Sequence, residues 1–161
     1  MTEIVKAASQ GARLFSIKHE YPGEWSKFLH SIADSSPHAM NVNLSGDRFP
    51  FTPPGRTIKV HGVGLYFLLK GTAVEFHGPL LLQITMSSDS PVDLSLADKG
   101  LDGVLQDSFA VERSLPLAIG IALPRDSSLP GSLKLPDSAV SVPTLNPDAV
   151  EDLYVVCHYS S

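Results

Sequence analysis

Histidines, acidic residues and aromatics are the side chains here whose chemistry could matter, and spacing decides what each can do. The six histidines are His19, His30, His38, His61, His77 and His158. None stands in an HxH or HExxH arrangement, so no local run supplies two ligands on one face, and scattered surface or core histidines are the expected reading. Asp93, Asp98 and Asp102 lie close together with Gly100 and Gly103. That spacing lacks the closing glutamate of a calcium loop, and a solvated acidic loop is expected. The Gly-x-Ser-x-Gly turn of serine hydrolases is absent. Gly62 and Gly64 are followed by a strand pattern, not by GK and a helix start, so they form no phosphate loop. No carboxylate pair falls in a recognisable glycosidase context. Trp25, Tyr21, Phe49 and Phe51 could form a sugar platform on a β-sheet surface, although a core role suits most of them. The single Cys157 sits in an apolar alternating stretch, which predicts a buried, inert thiol and excludes an internal disulfide.

The bulk numbers narrow the classes further. The chain has 161 residues, 43% hydrophobic and 18% charged, with a net charge of −5. That length supports one domain, residues 1–161, with a substantial core. The negative charge and the lack of a basic cluster disfavour nucleic acid as a partner. No apolar run approaches the roughly 20 residues of a membrane span, and the N-terminal residues do not form a signal peptide, so a soluble protein is expected.

The elements that must position these side chains are mostly short strands, as thirteen prolines and twelve glycines imply. The organising stretch is Arg56–Lys70. Ile58 and Val60 hold one parity, Thr57, Lys59 and His61 the other. After Gly62 the apolar parity shifts to Val63, Leu65, Phe67 and Leu69. A phase flip at glycine predicts a β-bulge or bend in a central strand. Alternation also predicts strands over 12–19, 40–45, 80–86, 115–123 and 153–159. Trp25, Phe28, Leu29 and Ile32 recur at helical spacing, so a short helix over about residues 22–32, with Pro22 in its first turn, should cover one end of the sheet. Residues 1–10 read as a helical lead-in, and 87–108 as a polar excursion. Together these predict a mainly β protein, an antiparallel β-sandwich with one short helix and long polar loops.

Three ordered blocks resemble the carboxy-terminal domain of bacterial toxin-complex (Tc) A subunits. Arg13-Leu-Phe-Ser-Ile-Lys-His-Glu-Tyr-Pro-Gly-Glu-Trp-Ser-Lys-Phe-Leu-His30 is similar to that family's strand-plus-helix segment. Arg48-Phe-Pro-Phe-Thr-Pro-Pro-Gly-Arg-Thr-Ile58 resembles the approach to its central strand. Leu145-Asn-Pro-Asp-Ala-Val-Glu-Asp-Leu-Tyr-Val-Val-Cys-His-Tyr159 is similar to its closing acidic turn and last strand. The blocks span residues 13–159, and none is a catalytic signature. The resemblance implies a non-catalytic docking domain without a cofactor, which binds the β-propeller of the toxin's B component and couples it to the translocation channel. It implies a pentamer within a whole A subunit, and a secreted or cell-surface toxin complex. A whole A subunit is many times longer, and no pore-forming or coiled region is present here. Contacts with such a partner are expected from exposed loops at 97–102 and 125–128 and from the aromatic turn 46–55, with Phe49, Phe51, Asp98, Lys99, Asp102, Arg125 and Asp126 as candidates. A carbohydrate-binding β-sandwich module is the competing expectation.

Overall fold

The computed structural model describes residues 10–29, 39–45, 57–76, 79–86, 91–100, 103–123 and 147–160. Expectations about 1–9, the helix end at 30–32, the turn 46–55 and the loop 125–128 lie outside the described residues. Eight strands run in chain order: β1 (Gln10–Ser16), β2 (Ala39–Leu44), β3 (Lys59–Leu69), β4 (Leu80–Met86), β5 (Val92–Asp98), β6 (Val104–Ser114), β7 (Leu117–Ala122) and β8 (Val150–Ser160). Two helical segments follow β1, α1 (Ile17–Glu20) and α2 (Pro22–Leu29). The antiparallel, mainly β architecture with one short helix is as expected.

Neighbours in the sheet follow the order β1-β8-β3-β6-β5-β4-β7-β2. The two layers are halves of one curled sheet. Only two residue pairs, Ala97↔Gln106 and Asp98↔Leu105, join β5 to β6, so the sheet folds over at that seam. Strand alternation sends one face of each half inward. Phe15, Leu65, Phe67 and Val155 from one half share a single core with Leu82, Ile84, Ile119 and Val42 from the other. Burying each such side chain is worth about 1.5–3 kcal/mol.

The central strand behaves as its sequence predicts. β3 pairs with both β6 and β8, and its register shifts between Val60 and Gly62 against both. While β3 advances two residues, β8 advances one, from Tyr159 to His158, and β6 advances three, from Arg113 to Ala110. Val60 is buried before this step and Val63, Leu65 and Phe67 after it, which is the phase flip in physical form.

Three expectations are corrected. The first strand ends at Ser16, because Glu20 accepts a hydrogen bond from the Ser16 amide at 3.0 Å and the chain turns into α1. The stretch 87–108 is not wholly a surface excursion: Val92–Asp98 and the start of β6 are paired strands. The β5–β6 turn closes through Gly103, whose φ of +78° favours glycine. A Cβ there would also stand 3.1 Å from Val74 Cγ1. The last strand also runs longer than expected, beginning at Val150.

The terminal strands of the sheet are protected by side chains. On β2, the Asn41 amide donates to Glu24 Oε2 at 3.0 Å, and the Asn43 carbonyl accepts from the Tyr21 hydroxyl at 2.9 Å. On β1, the Leu14 carbonyl accepts from the Arg13 guanidinium, which also pairs with Glu20 at 2.5 Å. Such caps oppose addition of a further strand at the edge.

Candidate functional site

Two polar arrangements stand out from the apolar framework. The first joins the two ends of the chain. Asp152 is buried on β8, with 3% of its surface exposed. Its carboxylate accepts hydrogen bonds from the Ser16 hydroxyl, the Lys18 amide at 3.0 Å and the Leu153 amide at 2.7 Å. Burial of a carboxylate is tolerated only when donors replace its water. Here the β1–α1 turn supplies two of the three.

The second arrangement occupies the outer face of β8, β3 and β6. Lys59 and His61 come from β3, Glu112 from β6 and Ser160 from β8. His61 Nδ1 lies 3.1 Å from Glu112 Oε1 and 3.3 Å from Oε2, and His61 Nε2 lies 2.5 Å from Ser160 Oγ. Lys59 Nζ lies 3.1 Å from Glu112 Oε2. The His61 hydrogen bond, and after it the Lys59 ammonium, hold the Glu112 carboxyl below its ordinary value. An ionised carboxylate only accepts, so Nδ1 carries the proton. In the neutral ring Nε2 is then an acceptor, aimed at the Ser160 hydroxyl. Both His61 and Glu112 fall within the irregular step of the β3 ladders, where a bulge re-aims side chains. An open cleft of about 390 Å³, lined by Gly11, His61, His158 and Tyr159, adjoins this cluster.

Of the residues expected to meet a partner, Asp98 and Lys99 are described. Asp98 ends β5 and turns its Oδ1 onto the Gly100 amide at 2.7 Å, and Lys99 is exposed in the turn that follows. Phe49, Phe51, Asp102, Arg125 and Asp126 lie outside the described residues, as do His30, His38 and His77. Asp93 is on β5, opposite Gln83. Among the described residues no group of three or more histidine, cysteine or acidic side chains could hold a metal ion. Nor, among them, is any helix long and apolar enough to cross a membrane. Trp25 is buried, and Tyr21 packs its ring against Phe15 with 6.3 Å between centroids. Neither is a flat exposed platform.

Cys157 is buried on β8. Desolvation pushes its thiol up to about 12, against a smaller opposing pull from Arg13. The native state therefore holds this proton more tightly than the unfolded chain does. The stability tied to it is complete below the ordinary thiol value and is lost as pH rises toward 12. Iodoacetamide at pH 8 should leave the native protein unmodified over hours and alkylate it within minutes in denaturant, as read by intact mass. Rapid native alkylation would contradict the burial.

Glu112 and Ser160 were not foreseeable as partners of His61. They stand 51 and 99 positions from it, and no motif spans those distances. The one available signal was the phase flip at Gly62, which marks His61 as a residue in an irregular step. Comparison of the chain with protein-family models, curated proteins and solved structures gave no match.

Proposed function

We propose that this chain is a protein-docking domain of the kind that receives the B component in toxin-complex A subunits. One observation carries the reading. The three blocks that resemble that family are far apart in sequence, yet they run through or lead directly into three neighbouring strands, β1, β8 and β3. Asp152, from the third block, bonds to Ser16 and Lys18 of the first. The first and third blocks thus meet at Asp152, and the second is followed by β3, the neighbour of β8.

Two further features favour docking over sugar binding. Trp25 and Phe28, the two aromatics of the first block that lie on α2, are buried and hold that helix in place. The capped edges of β1 and β2 direct recognition to loops and side chains, as in an interface with a polar rim. The β5–β6 turn, with Lys99 exposed, is one such loop. Docking itself needs shape and charge complementarity and no bond-making step.

The test mixes the 161-residue chain with purified B components and follows complex formation by size-exclusion chromatography with light scattering. A discrete complex, weakened by Lys99→Glu, is expected. Failure to bind any B component, together with saturable binding on a glycan array, would overturn the proposal in favour of the carbohydrate module.

A further inference from the structure

The docking reading gives no role to the cluster on the outer face of β3, β6 and β8, and its geometry is that of an activated nucleophile. We infer that Ser160, with His61 as its base and Glu112 behind the ring, is a reactive serine that accepts acyl groups from small activated esters. The hydroxyl and Nε2 are 2.5 Å apart, within hydrogen-bond reach, and the 3.1 Å contact from Nδ1 to Glu112 fixes the tautomer in which Nε2 can take a proton. The order in the chain is histidine, glutamate, serine. Such constellations are recognised by geometry and roles, not by sequence position.

The step balances as ordinary acyl transfer. Ser160 Oγ forms a bond to the ester carbonyl carbon as its proton passes to His61 Nε2. The tetrahedral species collapses, the bond to the leaving oxygen breaks, and His61 returns the proton to that oxygen. Water, deprotonated by His61, then cleaves the acyl-serine and restores the hydroxyl. Charge on the carbonyl oxygen must be met during both steps. Ser160 pairs with Gln10 on one side and Lys59 on the other, so its strand is committed to the sheet on both sides. Lys59 stands directly opposite Ser160 in the β3–β8 register, and opposed residues of an antiparallel pair share a face. In this scheme the Lys59 ammonium, which rests on Glu112 Oε2 at 3.1 Å, turns to meet that charge, which suits small, activated esters at an open site.

The probe is a fluorophosphonate, with the adduct located by peptide mass spectrometry, and p-nitrophenyl acetate hydrolysis is followed in parallel. A single adduct on Ser160 is expected, absent in Ser160→Ala. In His61→Gln the labelling rate should fall about 100-fold, at the lower end of what a general base supplies. Glu112 is a positioning residue. Glu112→Gln should slow labelling and alter its pH profile, whereas a purely structural contact would lower the rate equally at every pH. These side chains are on the outer face, and unchanged thermal melting of each variant verifies its fold. No adduct above a denatured control, an adduct elsewhere, or equal labelling in Ser160→Ala or His61→Gln overturns the inference. The outcome is independent of whether a B component binds.

Discussion

Replacing Phe28 with alanine should destabilise the protein by about 4 kcal/mol, within the range for deleting a buried phenylalanine. Phe28 has no exposed surface. Its ring stacks on Trp25 at 6.1 Å between centroids and meets Phe67 of the central strand edge-on at 6.5 Å. With Trp25 and Leu29 it joins α2 to the main core. An eight-residue helix has almost no stability of its own in water. What holds α2 is this aromatic contact, Leu29, and the hydrogen bonds from Asn41 to Glu24 and from Tyr21 to Asn43. The chain has one tryptophan, so Trp25 fluorescence reports on the helix and far-UV circular dichroism on the sheet. Urea titration of Phe28→Ala should show a lowered midpoint by both probes. Iodide should quench Trp25 in the variant before the sheet unfolds and hardly at all in the wild type. Phe28→Leu, which keeps most of the volume, should lose less than half as much. A loss below 1 kcal/mol for the alanine variant would mean that α2 is not part of the core.

The same residues show why some elements were legible in the sequence. β2, β4 and β7 each place apolar residues at every second position, β8 does so from Leu153 to Cys157, and the burial follows that alternation closely. The stripe of Trp25, Phe28 and Leu29 has helical spacing and buries those three. In these cases one local pattern meets one buried face. β6 breaks the rule. Only Leu105 and Val111 are buried along its eleven residues, so its sequence looks like a loop. It is a strand because β3 supplies the ladder, and that pairing is non-local. β5 carries Leu94 and Leu96 inward, but the signal is short and set among acidic and serine residues. At Ile17 the apolar parity continues while the backbone turns helical, and Ile17 is buried from a helix instead of a strand. Alternation fixes which side chains go inside and leaves open the backbone that takes them there.

The polar sites were less legible for a related reason. Asp152 reads in sequence as part of an acidic turn before the last strand, a surface feature. It is buried because its donors arrive from residues 134 and 136 positions away. The His61 cluster likewise needs three strands in register before any of its contacts exist. Charge and hydrogen bonding act through space, and a single sequence has no period that encodes them.

Asp152 is therefore the sharpest test of how the chain's two ends are held together, and Asp152→Ala should destabilise the protein by about 3–5 kcal/mol. A satisfied buried hydrogen bond contributes little net, whereas leaving a buried donor unmet costs about 1–3 kcal/mol. Truncation strands the buried Leu153 amide together with the part-buried Lys18 amide and Ser16 hydroxyl, although the hydroxyl can rotate to find another acceptor. Asp152→Asn keeps one acceptor oxygen but turns an NH2 group toward donors, and should lose about half as much. Ser16→Ala removes a single donor and should lose about 1 kcal/mol. The series should rank in that order by urea denaturation. Native-state hydrogen exchange should localise the effect: the Lys18 and Leu153 amides should exchange much faster in Asp152→Ala, while amides of β4 and β7, in the far half of the sheet, change only with global stability. Equal stability of wild type and Asp152→Ala, or faster exchange spread evenly over both halves, would show that the carboxylate does not join β8 to the β1–α1 turn.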